Sequence, residues 1–358
     1  MAKNIVVLID GTGNEVEVDE SNVLRLARLI LNQPGKQIFY YDPGVGTQGA
    51  PPTDFASRQE LLKMMGLGIG AGVFDKVASG YHYLVETYEP GDRLYFFGFS
   101  RGAYIARALA GIVSKIGILE SGRDNLVTFA VKLYADPRNL KLAQSFSDTF
   151  CDRKAEIHFL GLWDTVKSVF RFEPILRRLT SVVLPRTFSN EDVRCVRQAL
   201  AIDERRRFFR TNLWNSGGAS TDVKQVWFAG VHSDIGGGYP ASQSGLALIT
   251  LAWMLREAMG KGLFVDLAKQ GAISLSAISP LEPIHSSLGG WWWVPEWFPK
   301  RGRVGPTSKP REGFYLPRGE RRFIPAGAYI HQSVIDRINA NSGYAPTNLP
   351  TNFQIEPY

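Results

Sequence analysis

Ser100 stands between two glycines in Gly98-Phe-Ser-Arg-Gly102, after the aromatic run Leu94-Tyr-Phe-Phe97 and before an amphipathic stretch that reaches Gly111. This is the G-x-S-x-G pattern of an elbow, in which a strand turns sharply into a helix and presents a serine as a nucleophile. The turn holds the serine in a strained backbone conformation, and a side chain larger than hydrogen at either flank collides with neighbouring backbone. The Arg101 amide then lies at a helix N-terminus, where partial positive charge favours a developing oxyanion. A tight turn with a solvent-exposed serine is the plainer alternative.

A serine hydroxyl needs a base to take its proton, and the base needs an acid to fix its tautomer. Of the five histidines, His82 falls mid-helix and His158 mid-strand, both structural positions. His232 follows a strand and precedes Gly236-Gly-Gly238, whose missing side chains leave room for substrate, so it is the expected base. His285, in Ile284-His-Ser-Ser-Leu288, is its rival. Asp164 closes the strand after the elbow helix and is the expected acid. Asp234 competes with it, although its place two residues from His232 suits bracing the loop or partnering His285. Asp10 ends the first strand, and the amides of Gly11 and Thr12 beside it are where a second oxyanion donor is expected. Asp10 itself either orders that loop or forms an Asx-turn. A different chemistry stays open: Asp10, Asp164, His232 and Asp234 could hold a divalent cation for phosphoester hydrolysis, though without the dense ligand spacing of a metal motif.

These groups need elements to hold them. Ile5–Ile9 reads as a buried strand and Asn22–Asn32 as a helix, followed by a strand at Gln37–Tyr41. Gln59–Met65 and Phe74–Tyr88 carry helical periodicity on either side of a glycine-rich bend, Gly66–Gly72. After the elbow strand, Leu94–Gly98, a helix runs to about Ile116; Ile157–Trp163 and Lys224–Gly230 are further strands. Strands alternating with helices at this pace predict an α/β fold with a mostly parallel central sheet flanked by helices. Function in such sheets gathers at the carboxyl ends of strands, and four successive strand ends carry Asp10, Ser100, Asp164 and His232. Residues 1–358 are expected to form a single domain with an irregular, Trp-rich cap or lid at about 279–319. There Trp291, Trp292, Trp293 and Trp297 sit beside Lys300, Arg301 and Arg303, which suits either a packed subdomain core or a lipid-facing boundary. The run Asp203-Glu-Arg-Arg-Arg-Phe-Phe-Arg210 reads as a charged face with internal ion pairs, or as a contact for substrate phosphate.

Composition narrows the class. The 358 residues are 44% hydrophobic and 21% charged, with net charge +7, which favours an anionic surface or substrate. The basic residues are scattered and no nucleic-acid-binding motif is present, so no nucleic acid partner is expected. Two cysteines, Cys151 and Cys195, lie in no C-x-x-C pair and suit free thiols in a reducing compartment. The first apolar run is too short for a signal peptide and Leu246–Leu255 too short for a membrane span. A cytoplasmic protein is expected, with signal-independent secretion compatible.

The motifs together resemble a known family. Ile9-Asp-Gly-Thr-Gly-Asn14, Gly98-Phe-Ser-Arg-Gly-Ala-Tyr104, Leu160-Gly-Leu-Trp-Asp-Thr-Val166, Ala199-Leu-Ala-Ile-Asp-Glu-Arg-Arg-Arg-Phe208 and Trp227-Phe-Ala-Gly-Val-His-Ser-Asp-Ile-Gly-Gly-Gly-Tyr239 occur in order. The pattern, over about residues 3–345, is similar to the α/β-hydrolase-like family of domain of unknown function 2235, which includes type VI secretion phospholipase effectors. The resemblance implies a nucleophile at Ser100, an acid at Asp164 and a base at His232, in the chain order of an α/β-hydrolase. It implies a serine ester hydrolase acting on lipid or phospholipid acyl esters without a cofactor or metal. Secreted effectors of this kind carry large extra segments, whereas this chain has little beyond a hydrolase core. A secreted toxin, a defence effector and a housekeeping lipase all fit, as does a membrane- or partner-binding module activated by a ligand.

Overall fold

The central strands are almost continuously apolar, as strands covered on both faces must be. A computed structural model describes residues 2–11, 20–44, 69–136, 138–151, 155–166, 170–173, 178–181, 184–215, 221–266, 268–269, 278–302, 312–340 and 343–358. Its main sheet contains β1 (Asn4–Ile9), β2 (Gln37–Asp42), β3 (Arg93–Phe99), β4 (Ile157–Trp163), β5 (Cys195–Ala201), β6 (Asp222–Phe228), β7 (Ala328–His331) and β8 (Phe353–Glu356). The strand order is β8-β7-β6-β5-β4-β3-β1-β2, and every neighbouring pair is parallel. The fold is therefore α/β and hydrolase-like, with helices on both faces. The order reverses between β1 and β3, the place where open parallel sheets bind ligands.

Side chains on β1 alternate between two cores. Ile5, Val7 and Ile9 face α2 (Ile69–Thr87), α3 (Arg101–Ile116), α4 (Val127–Ala135) and α5 (Leu140–Phe150). Val6 and Leu8 face α1 (Asn22–Leu29) and the later helix Gly245–Met259. On β3, Phe96 enters the first core and Phe97 the second; full burial of each side chain stabilises the fold by about 1.5–3 kcal/mol. Helix α3 is buried along most of its length, and its Gly and Ala residues let it lie close to the sheet. Its N-terminus, and hence Ser100, is therefore anchored in buried core.

Two departures from the sequence pattern have local causes. Cys195–Ala201 is a central strand that the apolar pattern does not signal, because Arg197 and Gln198 interrupt it. Arg197 pairs with Asp222 at 2.8 Å and with Glu257, and the Gln198 side-chain N–H donates to the Asn212 carbonyl at 3.1 Å, so the polar interruption is held by partners within the fold. The glycines at 70 and 72 lie inside α2 instead of forming a bend; Gly66–Gly68 and the expected helix Gln59–Met65 fall outside the described residues. Among the described residues no helix is long and apolar enough to cross a membrane.

Candidate active site

Ser100 follows β3 with φ 58° and ψ −119°, a conformation that costs a non-glycine residue about 1–3 kcal/mol. Close packing on both sides maintains it. A Cβ on Gly98 would lie 2.5 Å from the Gly102 carbonyl oxygen, and one on Gly102 would lie 2.2 Å from that of Ile9. Glycine is thus required where β1, β3 and α3 converge. Ser100 occupies the N-cap of α3, yet its hydroxyl makes no capping bond. Instead it donates to His232 Nε2 at 2.8 Å.

His232 lies between the end of β6 and Gly237, in the short helix His232–Gly236, and its Nδ1–H donates to Asp164 Oδ2 at 2.5 Å. Asp164, just beyond β4, itself has a positive φ of 37°. Burial pulls the imidazole below its ordinary range against the attraction of Asp164, so the ring is neutral at pH 7 and able to accept a proton. Burial also pushes Asp164 upward, but Arg322 and then His232 outweigh it and hold the carboxyl below the usual carboxylate range.

Arg322 is not legible in the sequence. Its Nη1 and Nη2 meet Asp164 Oδ1 and Oδ2 at 2.5 and 2.9 Å, and its Nε donates to the Phe209 carbonyl at 3.0 Å. Both side chains of the pair are 1% exposed. Asp164 Oδ1 also accepts the Ala201 amide at 3.0 Å. No local spacing relates an arginine in the aperiodic stretch before β7 to an aspartate 158 residues earlier.

The run Asp203–Arg210 is a loop wrapped around the imidazole. Internal pairing exists, between Glu204 and Arg206 at 2.9 Å, but Glu204 is buried and accepts the His232 amide at 3.2 Å. Burial raises the Glu204 carboxyl, but Arg206, then Arg322 and His232, together outweigh it and bring it down to about 2. Phe209 meets the His232 ring edge-on at 4.7 Å, and Phe99 covers it from another side at 4.7 Å. Arg205, Arg207 and Arg210 donate to the carbonyls of Gly319, Phe298 and Glu320, so the arginines fasten the segment beyond residue 290 to the loop. The glycines after His232 serve packing rather than substrate space: a Cβ on Gly236 would overlap the Phe99 ring, and one on Gly237 would meet the Glu20 carbonyl oxygen.

The remaining expected residues are distributed around this centre. Asp10 orders the first loop, accepting from the Gly11 amide at 2.6 Å, the Tyr41 hydroxyl at 2.9 Å and the Ser21 hydroxyl. Gly11 therefore has its amide hydrogen committed to Asp10 and does not offer it to an oxyanion in this arrangement. Thr12, the other expected donor on that loop, and Arg303, the third of the cations expected beside the tryptophans, lie outside the described residues. Asp234 braces the loop of His232 through the Val231 amide at 2.9 Å and pairs with His285 Nδ1 at 2.6 Å. His285 thus belongs to a second Asp–His pair, stacked on Tyr239 and apart from Ser100. His158 bonds the Lys261 carbonyl at 2.9 Å, and His331 caps the helix Gln332–Asn339.

Trp292 departs from the expectation of a lipid-facing side chain. It is buried, packing edge-on against Phe209 at 5.5 Å beneath the Arg206 guanidinium, because the chain turns inward at Gly290–Trp292. Trp291, Trp293 and Trp297 are exposed. The groups considered for a cation are otherwise engaged: Asp164 by Arg322 and His232, Asp234 by His285, and Asp10 by three donors. A cation would have to displace an arginine already in bidentate contact.

The family described as "T6SS, Phospholipase effector Tle1-like, catalytic domain" matches residues 3–257. An uncharacterised Saccharomyces cerevisiae protein, YEL023C, is 35% identical over 225 residues, covering 58% of this chain and 32% of that protein. A crystal structure of an uncharacterised Pseudomonas aeruginosa protein aligns with TM-score 0.41 and 18% identity, over 74% of this chain and 46% of that one. The structure of the Tle1 effector bound to the VgrG spike of the type VI secretion system aligns with TM-score 0.39 and 22% identity, over 69% of this chain and 53% of that one. The chain thus spans between a third and about half the length of these relatives.

Proposed function

The chain belongs to the Tle1-like catalytic-domain family of type VI secretion phospholipase effectors, and from that premise we propose that it hydrolyses phospholipid acyl esters with Ser100 as nucleophile. The observation that carries this reading is the unbroken relay from Ser100 Oγ through His232 to Asp164, at 2.8 and 2.5 Å, starting from a strained elbow. Ser100 Oγ attacks the ester carbonyl carbon while His232 Nε2 takes its proton. Asp164 holds the Nδ1–H tautomer and offsets the charge of the imidazolium. The tetrahedral oxyanion forms at the N-terminus of α3, with the Arg101 amide as donor. Collapse of the intermediate breaks the bond to the alcohol oxygen, which leaves with the proton from His232. A water molecule, deprotonated by the same imidazole, then attacks the acyl-serine; collapse breaks the acyl bond to Ser100 Oγ, which regains the proton from His232 as the fatty acid is released.

The experiment is mass spectrometry of a phospholipid mixture incubated with the wild type and with Ser100→Ala, with and without a chelator. Free fatty acid and lysophospholipid should accumulate with the wild type in both conditions and stay at background with Ser100→Ala. Release that survives Ser100→Ala and stops on chelation would overturn the serine mechanism in favour of a metal-dependent one.

A further inference from the structure

Residues 289–302 read Gly-Gly-Trp-Trp-Trp-Val-Pro-Glu-Trp-Phe-Pro-Lys-Arg-Gly and leave most of their apolar side chains in water. Trp297 is 57% exposed and Phe298 61%, with Trp291, Trp293 and Val294 also exposed, whereas Trp292 is 7% exposed beneath them. The exposure is built in. Glu296, the only carboxylate in this stretch, is fully buried and accepts the Arg207 amide at 2.5 Å and the Gly319 amide at 3.1 Å. Arg207 Nη1 holds the Phe298 carbonyl at 2.7 Å, and the Arg318 backbone N–H holds that of Glu296 at 3.2 Å. The backbone is pinned with Trp291, Trp293, Trp297 and Phe298 outward and its one negative charge inward.

Cations border these rings. Lys300–Arg301 pairs with Phe314–Tyr315 as a short antiparallel ribbon, which sets exposed Phe314 opposite Arg301. The Arg318 guanidinium lies 5.3 Å from the Trp297 ring centroid. Glu312 is an exposed carboxylate preceding the ribbon's second strand. Trp suits a lipid boundary because its ring is apolar while its N–H still seeks a polar partner. Neighbouring Lys and Arg then meet headgroup phosphates.

We propose that Trp291, Trp293, Val294, Trp297 and Phe298, with Lys300, Arg301 and Arg318 at their edge, form a docking face for an anionic phospholipid surface. The inference rests on the proposed hydrolase function, since it supplies the surface from which that substrate is drawn. The face hangs on the same loop, Asp203–Arg210, that packs against His232, so docking places the triad's own scaffold at the membrane.

The test is flotation of the full chain carrying Ser100→Ala, which removes turnover from the measurement. Vesicles are phosphatidylcholine alone, or phosphatidylcholine with about a third phosphatidylglycerol by mole, at low and high salt. The protein should float with the anionic vesicles and lose binding as salt rises. Adding Trp297→Ser and Phe298→Ser should weaken binding by about tenfold or more. Adding Lys300→Glu and Arg301→Glu should weaken it by about fivefold or more per cation. The charge-reversal pair carries the test should the aromatic variant unfold at a lower denaturant concentration than its parent. Unchanged flotation in both variants, no flotation of the parent, or a concentration-dependent dimer that the aromatic variant dissolves would each overturn the docking face. A wild type that floats yet releases no fatty acid contradicts the hydrolase reading alone, and one that cleaves a soluble ester without floating contradicts the docking face alone.

Discussion

Removing Arg322 should unbalance Asp164 more than any other single change at the site. The two side chains share contacts at 2.5 and 2.9 Å and are 1% exposed. Charge centres about 4 Å apart at an effective dielectric near 20 attract by about 4 kcal/mol. Measured losses on breaking one side of a buried pair are about 3–5 kcal/mol, because the survivor is left uncompensated. Arg322→Met and Asp164→Asn should therefore each lower stability by about 3–5 kcal/mol at pH 7. The double variant removes both charges and should be more stable than either single one, giving a coupling energy of about 3 kcal/mol or more. Denaturant unfolding of all four proteins supplies the cycle. Activity should not follow stability: the double variant lacks the acceptor that fixes the His232 tautomer, a loss of about 10⁴-fold in kcat in comparable relays. Additive single losses would refute the reasoning, since they would mean that Arg322 and Asp164 do not compensate one another.

Glu204 gives the protein a pH dependence of definite sign. Its carboxyl stands at about 2 in the fold against an ordinary 4.5, so its contribution is complete above about 4.5 and disappears as pH falls through about 2. That span corresponds to about 3 kcal/mol, and unfolding measured across it should be flatter for Glu204→Gln than for the wild type. Trp292→Ala should cost about 3–5 kcal/mol and depress hydrolysis of a short-chain soluble ester, since it withdraws the support behind Phe209. Trp297→Ala should change stability by no more than about 0.5 kcal/mol; unfolding midpoints of the two variants side by side check both statements.

What the sequence discloses follows from where the information lies. Asp10, Ser100, Asp164 and His232 each follow a short, nearly continuous apolar run, and a parallel sheet must carry such residues at one edge. The glycines at 98 and 102 are interpretable because a steric rule applies to them locally. Arg322 and Glu204 follow no local rule, since their roles come from contacts across 158 and 28 residues. The Asp203–Arg210 run misleads for the same reason: charge runs are ordinarily solvated, and only tertiary structure turns this one inward. In the aromatic cluster, composition announces a surface that needs covering, but not which indole points in. The single helical turn at Gly290–Trp292 decides that Trp292 does, while Trp291 beside it stays exposed.

The account stands most directly on the nucleophilicity of Ser100. Incubation of the folded wild type with a fluorophosphonate, followed by intact mass and peptide mapping, should give one adduct, on Ser100. Labelling should vanish in Ser100→Ala and slow by orders of magnitude in His232→Ala, because the hydroxyl then lacks its 2.8 Å proton acceptor. An adduct on a different residue, or labelling of Ser100 at an undiminished rate without His232, would contradict the relay on which the proposed function rests.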